Sequence, residues 1–69
     1  SESEIFAYQY GSDIIVEGEG ELQVFDALGR MALSQRVNGN ERITMPQTGV
    51  YILRIVGDKI KVQKIIINK

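Results

Sequence analysis

The chain has 69 residues, a formal net charge of −1, one proline, and no cysteine, histidine or tryptophan. That length holds one small domain. The missing residue types exclude disulfides, thiol nucleophiles, Cys-ligated metals and imidazole-centred catalysis, so the chain is read as non-enzymatic and without a cofactor.

No apolar run approaches the roughly 20 residues that cross a bilayer as a helix. Ser1 opens an acidic stretch with no signal peptide in view, as expected of a piece processed or excised from a longer chain. Charge is unevenly spread: residues 1–29 carry seven acids and no base, and residues 30–69 carry eight bases with only Glu41 and Asp58 as acids. Early and late strands lying side by side would explain this, and so would a basic C-terminal surface offered to an acidic partner. Nucleic acid is not an expected partner, because the chain is acidic overall and its bases lack interleaved aromatic residues.

Ten isoleucines and six valines in period-2 alternation predict strands throughout. Phe6, Tyr8 and Tyr10 share one face of a first strand that Gly11-Ser12 closes, and Ile14 and Val16 continue beyond it. Glu17-Gly18-Glu19-Gly20-Glu21 reads as a tight solvated connection, since glycine weakens a strand interior. Leu22 and Val24 then point one way, Gln23 and Phe25 the other. Asp26-Ala27-Leu28-Gly29-Arg30 predicts a hairpin loop, with the Asp26 side chain bonding the backbone ahead and Gly29 in the left-handed region. Leu28 is expected to fold back onto the domain.

Met31 and Leu33, with Val37 beyond, form the returning strand, and Asn38-Gly39 suits a type I′ turn. Ile43 and Met45 follow on one face, and Pro46 ends their strand because it has no N–H to donate. Val50 to Val56 is almost continuously apolar, with Arg54 the single interruption, which predicts a central strand covered on both sides. After a turn at Gly57-Asp58, alternation sets Lys59 and Lys61 outward and Ile60 and Val62 inward. The pattern stumbles at Gln63-Lys64, where either a bulge or coverage of both faces is expected. About seven short strands with turns every 8–12 residues predict an all-β, immunoglobulin-like antiparallel β-sandwich.

Few residues invite a chemical role. Glu17, Glu19 and Glu21 would share one strand face and could gather oxygen ligands for calcium, but an acidic edge that discourages strand pairing explains them more simply. Asp26 with Glu21 makes a carboxylate pair with nothing else of an acid–base site around it. Tyr51, five residues after Pro46, fits a corner tyrosine bonded to upstream backbone. Lys64-Ile65-Ile66-Ile67-Asn68-Lys69 is either a last strand guarded by lysines or a segment read by a partner, as an added strand or through a terminal carboxylate. Its apolar character also suits strand-mediated dimers. Three tyrosines and two phenylalanines leave no aromatic platform for carbohydrate.

Three segments together carry a resemblance: Leu22–Arg30, Gly49-Val50-Tyr51-Ile52-Leu53-Arg54-Ile55, and the lysine-flanked run Lys64–Lys69. In this order they resemble the type A C-terminal sorting domain of cargo of the type IX (Por) secretion system of Bacteroidetes. The resemblance covers roughly residues 14–69 within a single domain spanning 1–69. It departs at the front, where that family often carries Tyr/Phe-Pro-Asn-Pro and this chain has Phe6-Ala7-Tyr8-Gln9-Tyr10. It implies an immunoglobulin-like signal domain that takes a periplasmic parent protein across the outer membrane, to the cell surface or the medium. It also implies removal by a sortase-like protease. The implied partners are proteins of the secretion machinery, that protease and the parent's own upstream domain. The implied recognition residues are Gly49, Val50, Tyr51, Lys64, Ile65, Ile66, Ile67, Asn68 and Lys69. A permanently retained immunoglobulin-like binding or spacer module is the alternative.

Overall fold

The alternation does produce strands, and in a computed structural model that describes residues 5–68 they number five. These are β1 (Ala7–Tyr10), β2 (Asp13–Phe25), β3 (Met31–Thr44), β4 (Gly49–Val56) and β5 (Ile60–Ile67), in one antiparallel sheet that curls on itself. β2 is its hub. The first part of β2 pairs with β1 (Ala7↔Val16 to Tyr10↔Asp13), and its last part pairs with β4 (Glu21↔Val56 to Phe25↔Ile52). β3 accompanies β2 along its whole length, and β5 pairs with β4 from Val56↔Ile60 to Gly49↔Ile67. The inward side chains enclose one core, in which Ile14, Val16, Leu22, Val24 and Leu53 lose all contact with solvent. Each such burial stabilises the fold by about 1.5–3 kcal/mol.

Two expected turns are absent. Glu17–Glu21 lies inside β2 and Asn38-Gly39 inside β3, so four of the seven short strands read from the sequence are halves of two long ones. Gly18 and Gly39 face each other in register, with φ of +148° and +105°. Backbone at these angles bends without breaking the pairing, because no Cβ opposes it. The Glu17↔Asn40 and Glu19↔Asn38 pairs persist on either side. Gly20 serves packing as well: a Cβ there would stand 2.3 Å from the Val56 carbonyl oxygen.

Other local expectations hold. Gly29 has φ +83°, and Asp26 Oδ1 accepts from the N–H groups of Leu28 and Arg30, both at 2.9 Å. The register slips once beside this loop, between Val24 and Phe25. β3 stops at Thr44 ahead of Pro46, and Gly57-Asp58 falls in the β4–β5 turn. The Tyr51 hydroxyl donates to the Gln47 carbonyl at 3.0 Å, closing the expected corner.

Four orientations need correction. Leu28 stays exposed, because the loop is held by its own hydrogen bonds and needs no apolar anchor. Phe6 is buried while Tyr8 and Tyr10 are exposed: Phe6 precedes β1 and escapes its alternation. β4 has strands on both sides but only one covered face, with Tyr51, Leu53 and Ile55 in the core, Val50 and Arg54 exposed, and Ile52 half-buried. In β5 the phase is the reverse of the reading. Ile60 and Val62 are exposed, Lys61 is half-buried, and Gln63 is buried in line with Ile65 and Ile67.

Gln63 inverts the phase because its amide has work on the inside. Its Oε1 accepts from Phe6 N–H at 2.8 Å and Ala7 N–H at 3.0 Å, and its Nε2 donates to the Ala7 carbonyl at 2.7 Å. A fully bonded amide can be buried where an unpaired one could not. The pairing runs unshifted through this point, so no bulge is needed. Farther along, Gln9 Nε2 donates to the Asn68 carbonyl and Asn68 N–H returns a bond to Gln9 Oε1 at 3.3 Å. Side-chain amides thus seal β1 against β5 and draw the curled sheet together.

Candidate partner-recognition site

The Asp26–Arg30 loop, the Gly49–Tyr51 corner and the last residues of β5 stand at one end of the fold. Asp26 organises the first. Besides the two backbone bonds, its carboxylate meets Arg30 Nε at 3.0 Å, and its main-chain carbonyl accepts from Gly29 N–H. The Arg30 N–H bond, with those from Leu28 and the guanidinium, holds the Asp26 carboxyl below its ordinary range. The corner is set by the Tyr51–Gln47 bond, which ties the first buried residue of β4 to the segment after Pro46.

Pairing of β4 with β5 joins residues that lie far apart in the sequence. Gly49 faces Ile67, Val50 faces Ile66 and Tyr51 faces Ile65, while Lys64 faces Ile52. These residues divide by accessibility. Tyr51, Ile65 and Ile67 are buried and build the corner from inside. Gly49, Val50, Lys64, Ile66 and Asn68 are exposed and available to a partner that docks on the folded domain. Lys69 lies outside the described residues. A shallow recess of about 190 Å³ separates the corner from the loop, lined by Leu28 and Arg30 on one side and Thr48 and Val50 on the other.

The terminal strand is not a free edge. β4 occupies one side of β5, and the Gln63 and Gln9 amides close the other against β1. Strand addition there requires β1 to move aside. Among the described residues β3 pairs with β2 alone, so its outer edge carries no strand.

At the opposite end, a cleft of about 420 Å³ lies over Ile55, with Glu17, Glu19 and Asp58 facing Arg36, Lys59 and Lys61. Glu21 accepts from Ser34 Oγ at 2.6 Å, and the Asp26 carboxylate is engaged by Arg30 and its own loop. Among the described residues, no group of three acidic or other ligating side chains is placed to hold a metal ion. Near the first turn, Arg42 Nε meets Asp13 Oδ2 at 2.6 Å and its guanidinium lies 5.0 Å from the Tyr10 ring centre. The bond from Arg42 holds the Asp13 carboxyl below its ordinary range.

Sequence reasoning missed Gln63 and Gln9 and the exposed Ile60 and Val62. The break in alternation at Gln63 was the one signal that marked them. No family model matches this chain, and no curated protein or solved structure matches it either.

Proposed function

We propose that this domain is a non-catalytic C-terminal secretion and sorting signal that directs a larger parent protein across the outer membrane through the type IX secretion system. One observation supports the reading. The three segments that carry the resemblance, separate in sequence, meet at one end of the fold, with Gly49-Val50-Tyr51 paired directly to Ile67-Ile66-Ile65. The five-stranded curled antiparallel sheet is compatible with the immunoglobulin-like arrangement that this reading expects. On this reading the parent is periplasmic in transit and then surface-bound or secreted. Machinery proteins read the exposed Gly49, Val50, Lys64, Ile66 and Asn68, together with Lys69. A sortase-like protease then removes the domain.

The test is export of a reporter that carries a signal peptide and ends in this domain, in a Bacteroidetes host with the system. Deleting Lys64–Lys69 is ambiguous on its own, because it removes the buried Ile65 and Ile67. The informative variant is Val50→Ser with Ile66→Ser, both at exposed positions. The expected result is periplasmic retention of the variant, with an unchanged circular dichroism melt of the domain. Undiminished export of that variant overturns the proposal. The intact mass of the exported reporter shows whether the domain is removed or stays on as a standing module.

A further inference from the structure

The inverted phase of β5 turns an apolar surface outward. Ile60, Val62 and Ile66 are 56%, 42% and 53% exposed, and Val50 beside Ile66 is 39% exposed. Scattered apolar side chains on a surface are ordinary, but a contiguous set on one sheet face marks a contact surface. Two cations stand within it. Arg54 faces Val62 and Lys64 faces Ile52, so the two are diagonal neighbours across the β4–β5 pair, close enough to share one carboxylate. Neither meets an acid within ion-pair distance among the described residues, whereas Arg30 and Arg42 are both paired.

We infer that the outer face of the β4–β5 hairpin docks an amphipathic protein segment that carries an Asp or Glu inside its apolar stripe, with the carboxylate meeting Arg54 and Lys64. Charge selects this occupant. A second copy of the domain laid face to face would bring two Arg54–Lys64 pairs together in a desolvated contact, and Glu21, the acid diagonal to Arg54 across β2–β4, is already engaged by Ser34 Oγ. A lipid surface favours apolar tips inside and cations around the rim. Here the cations lie between apolar neighbours, Lys64 between Val62 and Ile66 and Arg54 between Ile52 and Val56, so insertion would drag them in. A partner carboxylate instead gains from that setting, since the apolar ring excludes water from the charged contact. The face shares Val50, Lys64 and Ile66 with the proposed recognition site and rests on the sorting reading for its biological setting. Its chemistry stands on the face alone.

The test uses the ¹⁵N-labelled 69-residue chain. The probe is a helical peptide of about 18 residues, which spans the roughly 26 Å of an eight-residue strand pair. It carries a leucine stripe with one central Glu. Its Gln counterpart and phosphatidylglycerol vesicles are the comparisons. The expected result is amide shifts along β4 and β5 with the Glu peptide. Affinity should fall about tenfold when the Glu becomes Gln, or when Arg54→Gln and Lys64→Gln are combined in the domain. The inference is overturned by no shifts, by equal binding of the Gln peptide, by binding to vesicles in preference to the peptide, or by sedimentation as a dimer with this face covered. If the unaltered domain fails to bind the Glu peptide while its reporter is exported, the inference falls and the sorting reading stands. If the unaltered domain binds the peptide while its reporter is not exported, the sorting reading falls and the inference stands.

Discussion

β5 is held differently on its two sides. Toward β4 it has eight register pairs of backbone, from Val56↔Ile60 to Gly49↔Ile67. Toward β1 the Gln63 and Gln9 side chains bridge to main-chain groups of Phe6, Ala7 and Asn68. Backbone pairing is nearly indifferent to side-chain identity, because every non-proline residue brings the same donor and acceptor. An amide seam depends on single residues. The molecule should therefore be tolerant on one side of β5 and brittle on the other.

The largest effect should strike both sides together. Ile67→Ala empties a site that is 1% exposed at the end of β5 and should cost about 2–5 kcal/mol. Urea denaturation should show a lower midpoint with an unchanged slope, as expected when the whole core unfolds as one unit. Gln63→Leu should separate the sides. It strands the N–H groups of Phe6 and Ala7 and the Ala7 carbonyl, at a cost of about 2–3 kcal/mol after some rehydration. Hydrogen exchange should show Phe6 and Ala7 losing protection while the β4–β5 amides keep theirs. Equal loss on both sides would mean that the seam and the backbone pairing form one cooperative unit.

Tyr51→Phe probes the backbone-paired side at its corner. Losing the bond to Gln47 should cost about 1 kcal/mol in thermal or urea melts, with no change in exchange at β1. Acid should produce the smallest effect. Asp13 and Asp26 have depressed folded pKa values, the first through its bond from Arg42, the second through the bond from Arg30 N–H. Their contribution is present above the unfolded aspartate value of about 3.9 and is lost as pH falls through the folded values. Because Asp13 adjoins the β1–β2 turn and its partner Arg42 lies over Tyr10, exchange at β1 should rise first in an acid titration. Earlier loosening of the β4–β5 pairs would contradict this ordering.

The resemblance and the candidate site were only partly legible in the chain. Gly49–Tyr51 and the last residues could be picked out as segments, but their direct pairing could not. Nor could the burial of Tyr51, Ile65 and Ile67, which leaves a narrower exposed set for a partner to read. Arg54 looked like the lone interruption of a buried strand, and it is instead exposed among the apolar outer side chains of β4 and β5.

What the sequence determined by itself is what neighbouring residues settle among themselves. Asp26 and Gly29 make their loop because the carboxylate reaches amides two and four residues on and glycine accepts positive φ. Pro46 ends a strand because it has no N–H to give, and Leu22 and Val24 turn inward by simple alternation. Tertiary structure decided the cases in which a residue's partner lies far along the chain. Asn38-Gly39 bends a strand without ending it because Gly18, 21 positions earlier, lies opposite and bends with it. Gln63 faces the core because backbone groups 56 and 57 residues away satisfy its amide. With that one inward turn, Ile60 and Val62 go to the surface, since alternation along a strand permits no other phase.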